Sequence, residues 1–92
     1  MTINAKQTPL FRRGYRLQWE NIQNSYVVLY PEGMAKLNES AATILQLVDG
    51  KTNLNDIIKQ LNIRFPTANG LTEDVMEFFQ KAYEQKWVIF RD

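Results

Sequence analysis

Two carboxylate pairs, Glu73/Asp74 and Glu73/Glu77, are the groups in this 92-residue chain spaced for acid–base work. They fall where a long helix begins, over residues 71–86. Carboxylates in a first turn complement the helix dipole, and that is their commoner role. Ser25 and Ser40 have no histidine to activate them, because the chain contains neither His nor Cys. The same absences remove disulfides, thiolate sites and the commonest metal ligand. Gly14, Gly33, Gly50 and Gly70 are too scattered to cradle a phosphate. The acids do not cluster as an oxygen cage for calcium. The residues argue against an enzyme, and no cofactor or metal site is expected.

Binding is better supported, and helix 71–86 carries it. At about 100° per residue, Leu71, Val75, Phe78, Phe79 and Ala82 form one stripe. Met76, Tyr83 and Trp87 widen the apolar arc to roughly half the circumference, where packing on one layer needs about 100°. Two readings follow. The excess covers a second core layer, formed by the last apolar run 87–90. Alternatively, one flank faces the core and the other lines a groove, with Met76, Phe78 and Phe79 in it.

The groove needs a neighbour, and residues 26–38 supply one. Tyr26-Val27-Val28-Leu29-Tyr30 suits a strand buried on both faces. Pro31-Glu32-Gly33 reads as a three-residue hairpin loop, with Gly33 left-handed and Tyr30 opposite Met34. The second arm, 34–37, is short and of mixed polarity, as edge strands often are. Upstream, Tyr15-Arg16-Leu17-Gln18-Trp19-Glu20 alternates as a half-buried strand, with Tyr15, Leu17 and Trp19 inward. Three helices follow. Asn38 caps the first, with Ala41, Ile44, Leu45 and Val48 on its apolar face and Gly50 at its end. Thr52 or Asn53 caps the second, which repeats that spacing at Leu54, Ile57, Ile58 and Leu61. Thr72 caps the third. The run 87–90 is a short closing strand or an extended tail.

The expected class is α+β, winged helix-turn-helix-like: a three-stranded antiparallel sheet followed by three helices. Residues 1–9 read as a flexible arm and 10–92 as a single winged-helix-like domain, for which 45% apolar residues suffice. Nucleic-acid binding is the alternative for such a fold, through its last helix. That helix carries Glu73, Asp74, Glu77 and Glu84 against Lys81 and Lys86, the wrong sign for phosphate. Lys6, Arg12, Arg13 and Arg16 form a basic cluster at the other end, a solvated surface or a guide for an acidic partner. With a formal charge of +1, no apolar signal core in 1–9 and no membrane-length apolar run, a cytoplasmic location is expected, with no membrane partner. A free edge strand beside a loose arm also permits strand exchange between copies, a route to a homodimer.

Several motifs resemble the PqqD family of pyrroloquinoline quinone (PQQ) biosynthesis. They are Arg16-Leu17-Gln18-Trp19-Glu20, then Leu29-Tyr30-Pro31-Glu32-Gly33-Met34, then Leu37-Asn38 with Ser40-Ala41, Ile44-Leu45 and Asp49-Gly50. The likeness spans about residues 10 to 90. It implies a peptide chaperone that holds the ribosomally made precursor PqqA. The precursor is presented to PqqE, a radical S-adenosylmethionine enzyme that cross-links a Glu and a Tyr within it. Related domains grip a leader as an added strand, at the third strand beside the third helix. By that resemblance the site here is Met34, Ala35, Lys36 and Leu37 facing Val75, Phe78, Phe79 and Ala82.

Overall fold

A computed structural model describes residues 2–92, which form two antiparallel sheets and three helices. Strands β2 (Arg16–Glu20), β3 (Ser25–Tyr30) and β4 (Gly33–Lys36) make one sheet in the order β2-β3-β4. Strands β1 (Thr8–Phe11) and β5 (Val88–Arg91) pair as a separate ribbon. Helices α1 (Glu39–Leu45), α2 (Leu54–Arg64) and α3 (Leu71–Glu84) lie between β4 and β5 in the chain.

The ribbon decides one expectation and corrects another. The closing run is a strand and not an extended tail, and its partner β1 begins in the segment expected to be loose. Ile3 and Gln7 are buried, and Pro9 is fully buried within β1. Asn4 N–H donates to Gln7 Oε1 at 2.9 Å and Gln7 N–H to Asn4 O at 3.1 Å, which folds the segment into a turn. The carbonyls of Ala5 and Gln7 then accept the N–H groups of Asn55 and Leu54, each at 2.9 Å. Those donors sit in the first turn of α2 and have no partner inside the helix. The arm is ordered because it caps a helix with backbone oxygens, which no side-chain pattern advertises. Met1, also assigned to the arm, lies outside the described residues.

The hairpin register differs from expectation by one residue. Tyr30 pairs with Gly33 and Leu29 with Met34, so the loop is Pro31-Glu32 alone. Neither Glu32 nor Gly33 has a positive φ. Pro31 holds φ near about −65°, and the two-residue turn needs no left-handed residue. Gly33 instead begins β4.

Helix ends follow local chemistry. Asn38 Oδ1 accepts from Ala41 N–H at 2.8 Å, and Asn53 Oδ1 from Asp56 N–H at 2.9 Å. Thr52 is engaged elsewhere. Asp49 Oδ1 accepts the backbone N–H groups of Lys51 and Thr52, and its Oδ2 accepts the Thr52 hydroxyl. These bonds, the Lys51 N–H first, hold the Asp49 carboxyl below the ordinary aspartate range. Helix α1 ends at Leu45, earlier than expected. Leu47 and Val48 donate to Ile44 and Leu45, tightening the exit, and Gly50 turns the chain at φ +76°. Gly70, at φ +70°, precedes α3 in place of the expected Thr72 cap.

The core joins both sheets to all three helices. Leu45 of α1, Leu54, Ile57 and Leu61 of α2, and Val75, Phe79 and Ala82 of α3 cluster with Val28 and Val88. The wide arc of α3 is explained on one flank by β5. The Phe90 ring meets Phe79 at 6.2 Å and Tyr83 at 5.9 Å between centroids.

Candidate functional site

Strand β4 is the last strand of its sheet, paired to β3 on one side and to no strand on the other among the described residues. Which of its backbone groups face out follows from one bond. Leu37 N–H donates to Tyr26 O at 3.1 Å, so Tyr26 and Leu37 form a hydrogen-bonded pair. Such pairs alternate along an antiparallel ladder. Val28–Ala35 and Tyr30–Gly33 are therefore hydrogen-bonded pairs, while Val27–Lys36 and Leu29–Met34 are not. The N–H and C=O groups of Ala35 point to β3. Those of Met34 and Lys36 point away from the sheet.

The side chains alternate as well. Ala35 is half-buried and Leu37 buried, on the face that meets the core with Leu17 and Val28. Met34 and Lys36 are exposed on the outer face, in rows with Leu29 and Val27. Val27 has no exposed surface although it stands outside the main core cluster. Gln18 and Lys36 flank it across the sheet. Gln23, in the loop after β2, reaches back to Met34, its Nε2 lying 3.5 Å from the Sδ.

The expected helix residues are divided. Val75, Phe79 and Ala82 are core residues, at 0%, 0% and 2% exposure, and no peptide reaches them without opening the core. Phe78 is only half-buried, its ring edge-on to Phe79 at 5.5 Å. Met34, Ala35, Lys36 and Phe78 therefore retain accessible surface, whereas Leu37 is buried, at 7% exposure. Trp19, expected inward, is 45% exposed. It packs edge-on to Tyr26, with its Nε1–H on Asn21 Oδ1 at 2.8 Å. The structure adds a hollow of 320 Å³ that the sequence did not suggest, lined by Ser40, Thr43 and Ile44 of α1, Leu61 and Phe65 around the end of α2, and Leu71 of α3. Its lining comes from three helices far apart in sequence, so no local motif marks it. The basic residues Lys6, Arg12, Arg13 and Arg16 are all exposed.

Residues 25–88 match the family model described as coenzyme PQQ synthesis protein D. The chain belongs to the PqqD family. Among curated PqqD relatives, the PqqA binding protein of Rahnella aquatilis is 56% identical over 92 residues, covering 100% of this chain and 97% of its own. That of Kluyvera intermedia is 61% identical over 84 residues, covering 91% of each. These relatives are named for binding and not for catalysis. The fold is also similar to the solution NMR structure of the PqqD truncation of Methylobacterium extorquens PqqCD, at a TM-score of 0.71 and 24% identity, over 88% of this chain and 87% of that one. That protein is described as a functional, stand-alone recognition element for ribosomally synthesised and post-translationally modified peptides. Among the described residues, no helix of this PqqD chain is long and apolar enough to cross a membrane.

Proposed function

We propose that this chain is a non-catalytic peptide chaperone of PQQ biosynthesis, which binds the precursor PqqA as a strand added to β4 and presents it to the radical S-adenosylmethionine enzyme PqqE. The names of relatives at 56% and 61% identity support PqqA as the ligand. The mechanism rests on one observation: among the described residues, the outward N–H and C=O groups of Met34 and Lys36 have no strand beside them. Strand addition satisfies such groups and holds a flexible peptide largely without regard to its side chains. Phe78 is the accessible aromatic of the expected helix set and is assigned to the guest's side chains. Acids outnumber bases by four to two over residues 71–86, and by four to one within α3 itself, which disfavours the nucleic-acid alternative.

Amide NMR titration with PqqA tests this. Shifts are expected at residues 33–37 and around Phe78. Shifts confined to α2 would overturn the strand-addition mechanism. A subunit that binds PqqE tightly but has no affinity for PqqA would overturn the chaperone role.

A further inference from the structure

The open edge carries one charged side chain, and its position ties charge to hydrogen bonding. Lys36 is exposed on the outer face of β4, and no ion pair involving it is present among the described residues. Its neighbour across the sheet is the buried Val27, followed by the neutral Gln18. Alternation from the β2–β3 register puts Arg16 and Glu20 on the same face. Glu20 accepts from Gln18 Nε2 at 3.3 Å and is two strands away from β4. The β4 side of this face is therefore cationic, and Lys36 lies at its rim.

We propose that Lys36 selects an acidic residue in the peptide strand, at the guest position directly opposite it. This rests on the strand-addition reading. The outward groups of Met34 and Lys36 lie two residues apart, so an antiparallel guest forms hydrogen-bonded pairs with both. Directly opposite residues share a face, so these two guest side chains lie on the outer face with Met34 and Lys36. The guest residue between them, opposite Ala35, turns to the inner face and makes no edge bond. One guest residue thus gives its N–H to the Lys36 carbonyl and its side chain to the Lys36 ammonium. An acid there gains an exposed ion pair, and a base meets a like charge. In a parallel guest the bonding residue would lie opposite Ala35 and point inward, which separates the two requirements. The chemistry selected is a carboxylate on the outer face, in phase with the guest's bonded N–H groups.

The test uses the full chain and synthetic PqqA peptides, in calorimetry at low salt. One series replaces single backbone N–H groups by N-methyl, and a second replaces single acids by Lys. The protein is used as wild type, Lys36→Gln and Lys36→Glu, with amide spectra verifying the fold. N-methylation should weaken binding at alternate peptide positions. One of those positions should also be the acid whose replacement by Lys weakens binding to wild type. Lys36→Gln should cost about two- to fivefold, the scale of an exposed ion pair. Lys36→Glu should cost more and be rescued by the acid-to-Lys peptide. If the alternation is present but both variants bind as wild type, or the swapped peptide rescues nothing, the Lys36 assignment is overturned and strand addition stands. If the sensitive acid falls between the N-methyl-sensitive positions, the antiparallel pairing opposite Lys36 is overturned. If there is no alternation and the Met34 and Lys36 amides do not shift, strand addition fails, and this inference with it.

Discussion

Proline at two adjacent positions of β4 should have opposite consequences. Ala35 N–H faces the carbonyl of Val28, a residue with no exposed surface. Ala35→Pro removes that donor and leaves a buried carbonyl without a partner, at a cost of about 1–3 kcal/mol. A domain of this length has roughly 5–14 kcal/mol of stability at about 0.05–0.15 kcal/mol per residue. The loss should lower Tm by roughly 5–20 °C. Met34 N–H faces away from the sheet, where edge strands tolerate proline. Met34→Pro should change stability by no more than about 1 kcal/mol, because no bond within the sheet is lost. It should weaken PqqA by one hydrogen bond, about 0.5–1.5 kcal/mol, or roughly 2- to 13-fold. Thermal denaturation followed by circular dichroism and calorimetric titration measure the two effects. A larger fall in Tm for Met34→Pro than for Ala35→Pro would show that the outward groups belong to Gly33 and Ala35, and would refute the reasoning.

Ile3→Ala should destabilise by about 2–5 kcal/mol in urea denaturation, the range for truncating a buried isoleucine, whereas a loose arm would show no change. Phe79→Ala should cost about 3–5 kcal/mol of stability, while Phe78→Ala should act mainly on peptide affinity; calorimetry and denaturation of both variants separate the roles. Lys86 holds a left-handed conformation at φ +70° after α3, so Lys86→Gly should stabilise by about 0.5–1 kcal/mol, read as a higher denaturation midpoint. The depressed Asp49 carboxyl binds fewer protons folded than unfolded near its titration. Its contribution should be complete above the ordinary aspartate range and lost as pH falls through the folded value; Asp49→Asn should flatten that part of a stability–pH curve.

Periodicity made the helices and the meander legible. Leu54, Ile57, Ile58 and Leu61 mark the buried face of α2 without help from tertiary structure, and all four are buried. Asn38 was readable as a cap, and Asn53 as one of two candidates with Thr52, because such side chains make the bond. The N-terminal segment was not readable, because Ala5 and Gln7 act through carbonyls that every residue possesses. The hairpin loop was misread by one residue because Pro-Glu-Gly satisfies both a two-residue and a three-residue turn, and only the register decides. For the candidate site, a broad apolar arc could be seen on α3, but not which flank β5 would cover. That is a non-local pairing, and it moved Phe79 from proposed groove to core while leaving Phe78 half-exposed.

The β1–β5 ribbon also bears on the order in which the molecule assembles. Thr8 is paired with Arg91, across almost the whole chain, and Gln7 Nε2 reaches Asp92 Oδ1 at 3.3 Å. Closing so long a loop is entropically slow, whereas the β2–β3–β4 meander needs only neighbours. On a ribosome, β1 stays unpaired until the residues of β5 have emerged, long after β4 has its partner. The edge proposed to hold the guest thus belongs to the early-forming part of the fold, and the ribbon is its last closure. Mutations in β5 should accordingly speed unfolding and leave the folding rate nearly unchanged.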